Sequence, residues 1–228
     1  TPLYSEVYST RAIAAAPAVS TFASAPLREP RLAQVTVSAL GASTLTPSAN
    51  VWPSNLLAAG PCYVMLTSGT NAGATSDIVS FAAGVLTLSD DLTGIATAGD
   101  GLEVRRHHTL TGLFDRANAG NLTPGLNSSV ADLLQLVQPN GTTETFFRFT
   151  TGLAWMDNNF VASAQRVINP EQAFVIRNQS ATALTLFQQG VVLAGVNSAP
   201  GSGPATIVPV ETGTNLVTSP TDRSVTIA

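Results

Sequence analysis

The stretch Leu133-Leu134-Gln135-Leu136-Val137-Gln138-Pro139-Asn140-Gly141-Thr142-Thr143-Glu144-Thr145-Phe146-Phe147-Arg148-Phe149 decides the fold class. Two runs of β-forming residues flank Asn140-Gly141, a pair that readily takes positive φ, so the segment predicts a hairpin of 133–137 with 145–149. A helix from Ser129 through Leu136 competes with it, because Ser129 would cap that helix and Val130, Leu133 and Leu134 would share one face. The strand reading takes most of the segment and leaves one helical turn at Val130-Ala131-Asp132.

Working outward, the same short β-type runs recur, separated by Gly, Pro, Asn, Asp and Ser. Gln34-Val35-Thr36-Val37-Ser38 and Gly84-Val85-Leu86-Thr87-Leu88-Ser89 alternate apolar and polar side chains and predict half-buried strands. Tyr63-Val64-Met65-Leu66-Thr67, Ala173-Phe174-Val175-Ile176-Arg177 and Val191-Val192-Leu193-Ala194 are more continuously apolar and predict strands covered on both faces. Short helical turns are expected at Pro53-Ser54-Asn55-Leu56-Leu57 and at Leu110-Thr111-Gly112-Leu113-Phe114. The run Thr21 to Pro26 is echoed by Asn215 to Pro220, and the proline after each would blunt a sheet edge.

The expectation is an all-β protein: an antiparallel β-sandwich or barrel-like sheets with short helical turns and an extended N-terminal arm. The arm is residues 1–18, where Ala12 to Ala18 has little to bury, and the β-rich body is 19–228, either one unit or two β-subdomains divided near 105–115.

Composition narrows the partners. Charged residues make up only 11% of the 228, against 44% hydrophobic, so few surface charges keep copies of the chain apart. The ten basic residues are scattered, and the net charge is -4, which gives no footprint for nucleic acid. No apolar run approaches the roughly 18 residues of a membrane-spanning helix, so no membrane insertion is expected. Thr1 in first position fits a mature chain after removal of a signal peptide. The single Cys62 beside Tyr63-Val64-Met65 reads as a small buried hydrophobe, with no neighbouring Lys or Arg to lower its pKa.

The motifs Thr21-Phe22-Ala23-Ser24-Ala25-Pro26-Leu27, Tyr63-Val64-Met65-Leu66-Thr67-Ser68-Gly69 and Asp90-Asp91-Leu92-Thr93-Gly94-Ile95, the last leading to Ala98-Gly99-Asp100, carry a family likeness. With Thr109-Leu110 through Leu113-Phe114 and Pro170 through Asn178, they make the chain after residue 20 resemble an uncharacterised family of exported β-rich proteins from Verrucomicrobia and related bacteria. The segment 195–204 and the arm before Val19 match that pattern less well. The resemblance implies export and a β-fold, and it supplies no activity, ligand or catalytic residue.

Candidate sites are few. Adjacent strand residues His107 and His108 point to opposite faces, so they do not readily share a metal, and a partly solvated strand edge is expected there. Asp77, Asp90, Asp91, Asp100 and Glu103 form the densest acidic region, and Asp90-Asp91-Leu92-Thr93-Gly94 could present oxygens to a calcium ion, but the spacing matches no EF-hand loop and Asp-rich turns cap backbone without any ion. Ser68, His107 or His108, and Asp90 could be imagined as a triad, yet no nucleophile-elbow motif surrounds the serine. Trp52, Trp155 and Tyr63 could stack on sugar, with Trp52 the more exposable. Asn127-Ser128-Ser129, Asn140-Gly141-Thr142 and Asn178-Gln179-Ser180 formally fit glycosylation sequons.

No catalytic, cofactor or metal residue is therefore assigned, and a non-enzymatic role is expected. The leading expectation is a structural subunit of an extracellular or cell-surface homopolymer, a filament or coat held by β-pairing and apolar contacts. The chain's partner is then itself, with strand exchange through the arm: Leu3, Val7 and Ile13 filling pockets, Tyr4 and Tyr8 lying across a neighbour's groove. The alternative is an exported carbohydrate-binding or adhesive module whose partner is a surface polysaccharide.

Overall fold

The computed structural model describes residues 7–25, 27–52, 55–115, 121–138, 140–170 and 172–192. Leu3 and Tyr4 of the arm, Pro53 and Ser54 of one expected helical turn, the echo at 215–220 and the segment 195–204 lie outside the described residues. The elements in chain order are β1 (Val7–Ala15), β2 (Ser20–Ser24), β3 (Arg31–Gly41), β4 (Thr44–Pro47), β5 (Cys62–Leu66), β6 (Thr75–Ala82) and β7 (Val85–Leu88). Then come β8 (Gly101–Arg106), β9 (His108–Thr109), α1 (Leu110–Phe114), β10 (Leu133–Val137), β11 (Thr143–Arg148), β12 (Trp155–Asp157), β13 (Val167–Ile168), β14 (Ala173–Arg177) and β15 (Leu184–Val192). Among the described residues the fold is all-β with one short helix, and the ladders of the barrel and of the five-stranded sheet are antiparallel.

The described residues fall into two compact units, Val7 with Glu29–His107, and Tyr8–Arg28 with His108–Val192, so the stretch Glu29–His107 is an insertion in the chain of the second. The first unit is a closed barrel in the order β3-β4-β7-β6-β5-β8. Closure depends on the two longest strands of the unit. The first half of β3 pairs with β8 and its second half with β4, while β6 divides in the same way between β5 and β7. Register shifts at Val37/Ala39 and Ile78/Ser80 mark these changes of partner, and such bulges supply the bend that curls a sheet onto itself.

The barrel fills with alternate side chains. Val64 and Leu66 of β5, Leu86 of β7, Leu102 and Val104 of β8, and Leu45 of β4 all lie inside, with Trp52 set edge-on to Phe81. As the continuous apolar run predicts, β5 is buried on both faces. Its outward Tyr63 and Met65 sit opposite Arg105 and Glu103, which form a buried bidentate ion pair. The β6–β7 turn is Ala83-Gly84 with φ of 50° and 82°, the doubly positive geometry that matches strand twist in a two-residue hairpin.

The second unit is built on a five-stranded sheet, β12-β11-β10-β14-β2, and a two-stranded ribbon of β1 and β15. The expected hairpin is β10 with β11, in register Leu133↔Phe147 through Val137↔Thr143. Gly141 takes φ 80° at its tip, and Asn127 and the turn that follows it stop short of a helix before Leu133. One face of the sheet presents Leu134, Leu136, Phe146, Phe174 and Ile176 to Ile13 and Ala15 of β1 and Leu184 and Leu186 of β15. The helix closes this core with Leu110, Leu113 and Phe114, its N-terminus capped by the Thr109 hydroxyl accepting from Gly112 N–H.

The N-terminal segment is thus a strand of its own chain: β1 alternates half-buried or buried side chains at Ser9, Arg11, Ile13 and Ala15 with exposed ones between. The side chains of Val7 and Tyr8 lie outside the described residues. At the far side of the five-stranded sheet, β2 is an edge strand with Phe22 exposed, and Gln188 donates to the carbonyl of Ser24 at its end.

Candidate functional site

The histidines are buried rather than partly solvated. His107 Nε2 lies 2.8 Å from Asp77 Oδ1, its ring tilted against Tyr63, while His108 Nε2 lies 2.6 Å from the Leu27 carbonyl. They belong to different compact units, so the neighbours of one are not those of the other. The expected solvated edge fails because each imidazole has a strong acceptor inside its own unit, which offsets the loss of water.

The imagined triad is not assembled. Ser68 Oγ accepts from Gly101 N–H, His107 is bound to Asp77, and Asp90 accepts from the hydroxyls of Ser76 and Ser89 at 2.8 and 2.7 Å. Asp91 accepts from both the hydroxyl and the N–H of Thr93, which hold its carboxyl below the usual range. Asp100 caps Thr97 in the same fashion. Of the acidic region, Asp90, Asp91 and Asp100 hold turns while Asp77 and Glu103 pair with His107 and Arg105, and among the described residues no group of three or more His, Cys, Asp or Glu converges on a point.

Cys62 lies in the barrel core, and burial pushes its thiol pKa up. One expectation needs correcting: Arg106 is its cross-strand partner and pulls the pKa the other way, more weakly than burial raises it. Spacing along the chain does not reveal that neighbour, because strand pairing brings it from 44 positions away.

The aromatic platform does not exist. Tyr63, Trp155 and Trp52 are 1%, 1% and 5% exposed, and Trp155 Nε1 donates to Asp115 Oδ1. Trp52, the expected exposed one, caps the barrel core instead.

A groove that sequence reading missed lies in the second unit. Pairing of β11 with β12 runs only from Arg148↔Trp155 to Phe146↔Asp157, so Thr143, Glu144 and Thr145 lack a β12 partner. Beyond Asp157 the chain turns back, with Asp157 Oδ1 accepting from the N–H groups of Asn159 and Val161, both at 2.8 Å. Between that turn, the open end of β11 and the Ser163–Arg166 segment is an open groove of about 420 Å³. Glu144 Oε2 and Arg166 Nε meet across it at 2.6 Å, with 42% and 37% of their side chains exposed. No family model, curated protein or solved structure matches the chain.

The turn is held under strain. Phe160 takes φ 62°, a region that costs a bulky residue energy, and it persists because the Asp157 clamp and edge-on packing against Phe147 and Phe149 fix the ring. The only hint in the sequence is Asp157-Asn158-Asn159, three turn-forming polar residues in a row.

Proposed function

We propose that the chain is a structural subunit of an extracellular homopolymer, held by strand pairing and apolar contacts between copies. The observation that carries this reading is the ribbon of β1 and β15. Each is nine residues long, and among the described residues β15 is the only strand beside β1. A long strand with one edge unpaired among the described residues is a template for another chain, and a chain with only 11% charged residues does little to repel a second copy. Strand exchange is the form favoured by the layout. The turn between β1 and β2 contains Ala18 at φ 55°, and opening it there lets β1 pair with a neighbour's β15, where Ile13 and Ala15 fill the neighbour's copy of the same core. Leu3, Tyr4, Val7 and Tyr8 extend that contact. Export rests on the family resemblance of the motifs after residue 20.

Negative-stain imaging and light scattering of the full chain test this. Ordered fibres or lattices are expected, and an excess of a peptide of residues 1–16 should cap their growth. A chain that stays monomeric at high concentration, or one lacking residues 1–16 that still assembles, overturns the proposal.

A further inference from the structure

We propose that the groove beside β11 is a binding site for a neutral saccharide, a function separate from the assembly reading and independent of it. Its polar groups are of the kind that read a polyol. Glu144 and Arg166 spend one carboxylate oxygen and one guanidinium N–H on each other, which leaves Glu144 Oε1 as an acceptor and the outer Arg166 N–H groups as donors. Asn158 and Asn159 line the facing wall, and both are exposed. Each amide offers an acceptor and a donor in one plane, the pairing that vicinal hydroxyls require.

Charge decides against other ligands of similar size. The Glu144–Arg166 pair cancels within the groove and leaves Asp157 as the remaining charge, so a phosphate or uronate would meet a carboxylate with no unpaired cation beside it. The site is also set before binding. Asp157 pins the turn through Asn159 and Val161, and Ser163 Oγ donates to the Val161 carbonyl, so little freedom is lost when a ligand arrives. A volume of about 420 Å³ falls within the range of small-molecule sites and suits the end of an oligosaccharide. Recognition here works through hydrogen bonds, since the tryptophans that would stack on sugar are in the core.

Saturation-transfer NMR on the full chain with maltotriose, cellotriose, mannotriose and triacetylchitotriose is the test, and it tolerates an assembled sample. At least one of these should receive saturation. Its affinity should fall about tenfold or more both in the Asn158→Ala/Asn159→Ala double variant and in Arg166→Met, because hydroxyl-specific sites lose strongly when one partner is removed. The asparagines are exposed, so the melting curve of the double variant should match that of the unaltered chain, and Asp91→Ala in the barrel should bind as well as it does. Saturation of none of the sugars, or undiminished binding by the double variant or by Arg166→Met, overturns the proposal.

Discussion

Asparagine and aspartate side chains hold the turns of this protein, and one local pattern does much of the work. Asp91, Asn127, Asn140 and Asn178 each accept from the N–H and the hydroxyl of a Ser or Thr two residues on. Three of these four read in the sequence as glycosylation sequons, but the same spacing closes an Asx turn. Asn178 shows the difference most sharply. It is fully buried, and its Nδ2 donates to Ala15 of β1 at 3.1 Å and to Thr182 at 2.8 Å, so the amide nitrogen that a glycan would need is already committed. Asn178→Ala strands two carbonyls and should cost about 1–3 kcal/mol in urea unfolding, whereas Asn127→Ala, exposed to water, should cost well under 1 kcal/mol. Equal losses would show that burial of the Asn178 amide contributes nothing.

At the level of elements, strands with local signals were legible and their partners were not. Asn140-Gly141 announces the β10–β11 hairpin because positive φ comes easily to such residues, and Gly141 is the one of the pair that takes it. The structure leaves open space around Gly141, so Gly141→Val meets no clash, only the left-handed backbone, and should lower stability by about 1–2 kcal/mol. A melting temperature unchanged by that substitution would mean the tip relaxes to another turn. The β6–β7 hairpin escaped notice because Ala83 carries no positive-φ signature; tertiary pairing imposes it. The groove was equally hidden. It arises from where β12 stops pairing with β11, a property of two strands together. Ala12 to Ala18 reads as an extended arm because it buries little area per residue, yet small side chains are what let β1 pack closely under the five-stranded sheet, with Ala15 only 1% exposed.

Over the whole molecule, each unit has its own apolar centre, around Leu86 and Val64 in the barrel and around Phe174 and Trp155 in the other. Leu86→Ala should cost about 2–5 kcal/mol, and Trp155→Ala about 3–5 kcal/mol. Scanning calorimetry should show each substitution lowering a different unfolding transition, and one transition displaced as a whole by either would contradict independent centres. The way the barrel is threaded has a further consequence. Its first and last strands are register partners at Arg31↔Arg105, and on the other unit Leu27 and His108 are joined by a hydrogen bond. Within each unit, therefore, the two chain ends that flank the insertion lie close together. Residues 29–107 have the layout of a cassette, a gene segment that can be deleted, exchanged or grafted elsewhere without either neighbour having to stretch to close the gap.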